Sequence, residues 1–383
     1  AYNVAVGSNA LKSNLGGGWN TAVGSYTLTA NTTGYSNTAV GIGTLIKNTT
    51  GFRNTAIGGG NMEEMLTGYE NTSIGYYALR VNKTGHSNTA IGVWALYSDT
   101  SGHSNTAVGK GAGLYNNGGI KNVFTGTWAG AYNTTGSFNV FSGFDAGGHN
   151  ITGARNTCIG FSSAFTNTAG SDNTFLGNNT GYLATGGMNT FLGSNSGAAN
   201  LGGTNNVFVG FNSGNLNTTG SSNIAIGNNA QVGTTFTNAT AIGNNAVAGA
   251  SNTMILGGSG ADAVNVGIGT TTPSAKLHVT SDGSTGFQNI KMTETGNEYS
   301  RLGFYNGGTT KFWETAAYSD PVDSLSRFHI FNSSTINLLT VAGNGRIGIS
   351  NSNPTVPLSF NGNLGDKISL LQWGTGHYGF GVV

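Results

Sequence analysis

The sequence predicts an all-β protein whose larger part is a parallel β-roll or β-solenoid of about 17-residue coils. Three observations carry this. The motif Asn-Thr-Ala-(Val/Ile)-Gly recurs on a fixed beat, a second glycine keeps the same beat, and the composition disfavours helix. Gly occurs 66 times and Asn 50 times in 383 residues. Gly, Asn and Thr are poor helix formers. Gly at every third position with abundant Pro is absent, which excludes collagen. The chain is 37% hydrophobic and only 8% charged, unlike ordinary disorder.

The motif starts at Asn20, Asn37, Asn54, Asn71, Asn88 and Asn105, and in looser form at Asn3. It continues to Asn122, Asn139, Asn156 and Asn173, every step being 17 residues. Asn189, Asn206 and Asn223 follow at steps of 16, 17 and 17, then Asn238, Asn252 and Asn265 at 15, 14 and 13. That makes 17 units, and such periodicity is the signature of stacked repeats.

Each unit is expected to hold two short strands and two glycine corners. Gly24, Gly41, Gly58, Gly75, Gly92 and Gly109 end the motif, and Gly34, Gly51 and their equivalents lie ten residues later. Both sets are expected to take the positive φ of a sharp corner.

Strand alternation sends Thr21 and Val23 to one face and Asn20 and Ala22 to the other. Equal offsets stack at about 4.8 Å. Val23, Val40, Ile57, Ile74, Ile91 and Val108 then form an apolar ladder, and Asn20, Asn37, Asn54, Asn71, Asn88 and Asn105 an amide ladder. Thr21, Thr38, Thr55, Thr72, Thr89 and Thr106 share the Val face and are expected to point inward.

Near residue 110 two positions exchange volume. Leu28, Leu45, Leu79 and Leu96 give way to Gly113, Gly130, Gly147, Ala164 and Gly181. Over the same coils Ala gives way to Phe124, Phe141, Phe175, Phe191 and Phe208. Volume-conserving exchange is what a core tolerates best, so the two positions are expected to share one layer. Cys158 falls in the Phe position and reads as a packing residue. A coil this thin fills itself from one strand face. The second apolar face then needs a partner surface, and self-association with cyclic closure is the economical answer.

Units such as Asn-Thr-Ala-Val-Gly and Asn223 to Ala230 (Asn-Ile-Ala-Ile-Gly-Asn-Asn-Ala) resemble the head repeats of trimeric autotransporter adhesins. The resemblance spans about residues 1 to 270. It implies three chains, each winding a left-handed parallel β-roll, packed about a threefold axis.

After Gly269 the texture changes. All four prolines lie here, with 14 charged residues against 15 in the first 270. Val266-Gly267-Ile268-Gly269-Thr270-Thr271-Thr272-Pro273 recurs as Ile347-Gly348-Ile349-Ser350-Asn351-Ser352-Asn353-Pro354. Leu302-Gly303-Phe304 matches Tyr378-Gly379-Phe380. The expected division is a shaft over 1–269, a β-rich module over 270–345, and the start of an incomplete second copy over 346–383. Strands are expected over 276–280, 327–332 and 337–341. The Val266 to Val279 run, and Asp366-Lys367-Ile368 with His377 to Gly381, look like segments of bacterial surface-fibre and phage tail-fibre proteins.

Few residues point to chemistry. No P-loop, zinc-protease helix motif or Gly-x-Ser-x-Gly elbow occurs. His86 and His103 fall one coil apart and are expected to stack at the surface. Glu63 and Glu64 are neighbours on a solvated corner, and on a strand they would face opposite ways. Gly257 to Val264 matches one copy of a calcium β-roll pattern, which makes Asp262 a weak metal candidate and more readily a junction turn. No cofactor is expected. A net charge of +1 offers no footprint for nucleic acid, and no apolar run reaches a membrane span.

The functional expectation is a non-enzymatic, extracellular, homotrimeric fibre on a cell, phage or injection particle. It would present binding modules to a glycan or protein receptor. The alternative is an ice- or glycan-binding module using the Thr or Asn ladder, or a stripe of Trp19, Tyr35, Phe52 and Tyr69. A polysaccharide-degrading tailspike ranks behind both.

Overall fold

The computed structural model describes residues 2–280, 290, 292, 299–305, 312–319, 326–332, 337–360, 372–373 and 376–377. Two compact units emerge: Ala1–Gly267 with Thr272–His278, and Ile268–Thr271 with Val279–Val383.

The first unit is a β-solenoid. Sixteen three-residue strands, from Val4–Val6 to Met254–Leu256, form one parallel sheet in chain order. Thr21 pairs with Thr38, Ala22 with Ala39 and Val23 with Val40, and the same register runs on coil after coil. Among the described residues there is no α-helix, only a 3₁₀ turn at Gly260–Asp262.

Ala22, Ala39, Ala56, Ala90 and Ala107 are fully buried beside the motif Asn side chains. Thr21, Thr38 and Thr55 are half-buried, and Ile57, Ile74 and Ile91 are exposed. The Thr ladder therefore points outward with Val and Ile, against expectation. The reason is volume: a single sheet layer closes over the Asn and Ala side, where the turn segment packs.

The return leg also departs from expectation. In the long coils it is a turn with two left-handed residues, such as Tyr26 (φ 59) and Leu28 (φ 50). The left-handed turn lets the adjacent Thr27 and Leu28 both reach inward, and both are fully buried. Hydrogen bonds to the next coil hold it, Leu28 N–H to Thr44 O at 3.0 Å and Ala30 N–H to Ile46 O at 3.0 Å. A second strand forms only in the shortened coils, where Gln231–Val232 pairs with Val247–Ala248.

The two glycine sets serve different needs. Gly24 has φ +136, and a Cβ there would stand 2.5 Å from the Gly41 carbonyl oxygen. Gly34 has no positive φ; its missing side chain instead leaves room for the Asn31 amide and the Gly51 carbonyl. The second corner is thus a matter of space rather than backbone handedness.

That space holds the amide ladder. Asn37 N–H donates to Asn20 Oδ1 at 3.0 Å, and Asn37 Nδ2 donates to Gly51 O at 2.9 Å. The pattern runs to Asn223, whose Oδ1 accepts from Ala239 N–H at 2.8 Å. Asn238 and Asn252 sit one residue before the ladder position, with φ 55 and 57. Val266–Ile268 stands outside the large sheet. The stacked array accordingly ends sixteen strands on, short of the 17 units counted in sequence.

Leu28, Leu45, Leu79, Leu96, Phe124, Phe141, Phe175, Phe191 and Phe208 are all fully buried. A Cβ on Gly113 would stand 2.5 Å from Phe124 Cδ2 and 2.8 Å from Leu96 Cδ2. The Phe rings therefore occupy the layer that Leu fills in earlier coils. Phe175, Phe191 and Phe208 stack at 4.8 Å between ring centres.

The second unit carries a six-stranded sheet in the order Ser300–Tyr305, Phe312–Tyr318, Arg327–Asn332, Asn337–Ala342, Ile347–Ile349, Leu358–Phe360. Its neighbours are antiparallel except the last pair, which is parallel. Strands on both sides of residue 346 share this sheet. The two copies of the proline-ended repeat make the same contact: Val266 N–H donates to Lys276 O at 2.8 Å, and Ile347 N–H to Pro357 O at 2.9 Å. Asp366-Lys367-Ile368 and Tyr378-Gly379-Phe380 lie outside the described residues.

Candidate functional site

Three surfaces or layers of the solenoid bear on function. The first is the outward face of the large sheet. From Thr55 to Val108 each strand begins on Thr and ends on Ile or Val, and like positions stack in register. Ile57, Ile74, Ile91 and Val108 are 37–39% exposed. They belong to an apolar row flanked by Thr hydroxyls; in the two coils where Val123 and Val140 replace Thr, Thr125 and Ser142 replace the apolar residue and interrupt the row.

The second is the aromatic surface. Tyr35, Phe52, Tyr69, His86 and His103 stack face to face, with ring centres 4.7–5.0 Å apart and planes within 6°. The faces of Phe52, Tyr69 and His86 are used on their neighbours, so these rings turn only their edges outward. Trp19 does not belong to this stack: it occupies the left-handed position (φ 56) equivalent to Ser36. Burial and the neighbouring His86 hold the His103 imidazole below its ordinary value. Elsewhere, on the turn segment, Tyr77, Trp94, Tyr97, Leu114, Tyr115 and Trp128 line an open cavity of about 460 Å³. A second cavity of about 340 Å³ shares Trp128 and reaches Asp145 and Phe165. A third of about 600 Å³ runs from those two to Asn215.

The third is the polar interior, where the sequence reading missed a whole element. Besides the motif Asn ladder there is a second one, Asn14, Asn31, Asn48, Asn82, Asn116, Asn133 and Asn150. Asn31 Nδ2 donates to Asn14 Oδ1 at 2.8 Å and to Gly34 O at 3.0 Å. Its 17-residue spacing was present in the sequence but hidden by Asn abundance and by interruption. Met65 and Asp99 replace two rungs. Asn48 Oδ1 and both amide atoms of Asn82 consequently have no hydrogen-bond partner. Asp99 Oδ1 accepts from Gly102 N–H at 2.6 Å, and Oδ2 from Asn116 Nδ2 at 3.2 Å. Burial pushes the Asp99 carboxyl up to about 6 against these hydrogen bonds.

The remaining candidates have structural partners. Glu63 pairs with Arg80 at 2.6 Å and Glu64 with Lys47 at 2.7 Å, so the two bridge to opposite neighbouring coils. Arg80 also donates to Tyr97 Oη at 2.7 Å; the Glu63 hydrogen bond, then this one, raise its pKa. Cys158 is fully buried, and burial pushes its thiol up, away from reactivity. Asp262 accepts from the side chains of Asn244 and of Asn245, the latter at 2.8 Å, at the end of the exposed Asn228–Asn244 and Asn229–Asn245 ladders. Among the described residues no three His, Cys, Asp or Glu side chains converge as a metal site would need. No described helix is long and apolar enough to cross a membrane.

These features define a parallel β-solenoid repeat protein with 17-residue coils, polar amide ladders inside and an apolar sheet face outside. No family model matches the chain. No curated protein matches it either.

Proposed function

We propose that the chain is a structural and adhesive fibre protein, working outside the cell as a homotrimer and without a catalytic role. The apolar row on the outward sheet face supports this most directly. Monomeric proteins seldom leave so long an apolar strip wet. Sixteen strands at ~4.8 Å and a strip about 10 Å wide give roughly 800 Å², near the area one partner contributes to a stable interface. A row that repeats along an axis, apolar in all but the Thr125 and Ser142 coils, is complementary to copies of itself, and cyclic closure satisfies every copy. The resemblance of the repeats to trimeric adhesin heads agrees with three copies. Stacked coils with continuous ladders make a stiff spacer of about 70 Å. Fibre-like modules and receptor binding belong to the same reading.

Mass in solution tests it. A particle three times 38.9 kDa supports the trimer, and Ile74→Lys with Ile91→Lys should dissociate it. A stable monomer would sink the proposal.

The outward Thr ladder favours one second reading, a flat hydroxyl and methyl array that binds ice. Thr21, Thr38 and Thr55 stand in strict register. Thermal hysteresis from the monomeric chain, lost on replacing Thr55 and Thr72 by Lys, would favour it over the fibre.

A further inference from the structure

We infer that the groove between Trp94 and Trp128 is a binding site for an acidic carbohydrate, a glycan bearing carboxylated pyranose rings, with Lys110 as its counter-ion. The site is separate from the sheet face and does not rest on trimer formation.

Four observations converge on it. First, Trp94 is exposed and Trp128 half-buried. Neither stacks on another ring among the described residues, in contrast with the self-stacked Tyr35 to His103 row. Open aromatic faces suit the apolar C–H face of a sugar ring, and Trp gives much area at low conformational cost.

Second, the indoles are held in an unfavourable backbone. Trp94 has φ 62 and Trp128 φ 61. The same coil position is Asn at 9, 179, 195, 212, 229 and 245, each with φ between 51 and 59. Asn tolerates the left-handed region; a bulky aromatic there costs about 1–2 kcal/mol. Gly111 fills the position between the two tryptophans, and a Cβ on it would run into the Trp128 ring. The alternation Trp–Gly–Trp thus lets one indole lie over bare backbone and leaves a slot beside the other.

Third, the charge is right. Lys110 places its ammonium 5.6 Å from the Trp94 ring centre and 5.9 Å from that of Trp128. It forms no ion pair among the described residues, whereas Arg80, on the neighbouring aromatic side chains, is matched by Glu63. The cation repels a cationic ligand from the slot and pairs with a carboxylate. Fourth, two further cavities follow on the same turn segment, one from Trp128 to Phe165 and one from Asp145 to Asn215, where the Asp145 carboxyl can accept from sugar hydroxyls.

The test is calorimetric titration of the full 383-residue chain with hexagalacturonate, with an α2,8-linked sialic acid oligomer, and with neutral maltohexaose. Trp94→Asn and Trp128→Asn place at these sites the residue six other coils already use, so the fold persists, and a melting curve verifies it. At least one acidic oligomer should bind tenfold or more tighter than maltohexaose. Each Trp variant should weaken that binding at least tenfold, and Lys110→Gln should bring it to the neutral level and flatten its salt dependence. Which acidic oligomer binds tells a hexuronate from a sialate source. Absence of binding to both acidic oligomers, equal affinity for the neutral one, or affinity unchanged in both Trp variants would each overturn the assignment.

Discussion

Asn116 donates its side-chain amide to Asp99 at 3.2 Å, so a carboxyl stands where the inner ladder otherwise carries an amide. A carboxylate can accept from Asn116 but can donate nothing to Asn82 on its other side, and Asn82 Oδ1 is left without a partner. A protonated Asp99 can donate.

The sign of the pH effect follows. The folded value, about 6, lies above the ordinary 3.8, so the stabilising state is the protonated one. Its contribution is full below about pH 4 and is lost as pH rises through about 6. A difference of that size is worth on the order of 3 kcal/mol. Asp99→Asn should stabilise the protein above pH 7 by about 2–3 kcal/mol. Chemical denaturation of wild type and variant from pH 4 to 8 checks it: the gap should open with rising pH. A constant gap would refute the assignment. His103 and His329, both held low by burial, respond in the opposite sense and are common to both proteins, so the difference isolates Asp99.

A second expectation concerns the strand-end glycines. A Cβ on Gly109, at φ +137, would stand 2.5 Å from the Gly126 carbonyl oxygen, while Gly202 has nothing within 4 Å. Gly109→Ala should cost about 3 kcal/mol or more, since both backbone strain and a backbone clash are involved. Gly202→Ala should be neutral within about 0.5 kcal/mol. Parallel thermal melts compare them.

The Leu-to-Phe exchange should show as coupling. A Cβ on Gly147, at φ +58, would stand 2.5 Å from Phe141 Cδ2, and Leu28 demonstrates that Leu accepts this backbone. Gly147→Leu alone should be strongly destabilising through overpacking, and Phe141→Ala alone should cost about 3–5 kcal/mol. Together they rebuild the early-coil layer. The double-mutant cycle should return at least 1–3 kcal/mol of favourable coupling.

Asn71 offers a test of the motif ladder. Its Nδ2 donates to Asn54 Oδ1 at 3.1 Å and to Gly85 O at 2.9 Å, and its Oδ1 accepts from Asn88 N–H at 3.0 Å. Asn71→Ala strands buried groups in two neighbouring coils. The expected loss is about 2–4 kcal/mol, with faster amide exchange at Asn88 than at Asn139 several coils away.

The strands were legible because Asn-Thr-Ala-Val-Gly encodes them locally, and a 17-residue beat fixes the register of Thr21 on Thr38. The return leg was not. Leu28 and Leu79 adopt φ 50 and 48, conformations their side chains avoid in isolation and which only bonds to the next coil impose. Nor does alternation say which face closes; Thr21 turned out because Ala22 and Asn20 face the turn segment. Trp94 and Trp128 escaped notice for a related reason. Their partnership passes through Gly111, and a ladder interrupted by glycine reads in sequence as no ladder at all.

The backbone-to-amide hydrogen bonds of the motif ladder run along the stacking direction, each linking a residue to one 17 positions on. Under tension applied along that direction, coils are loaded in series, and the coil at the pulled end gives way first. Releasing one coil frees 17 residues, about 58 Å of extended chain less the ~4.8 Å it spanned when stacked. Over the 17-residue coils force spectroscopy should therefore record a sawtooth with a step near 5 nm, shrinking where the repeat shortens, and the protein would absorb work in quanta set by its repeat length.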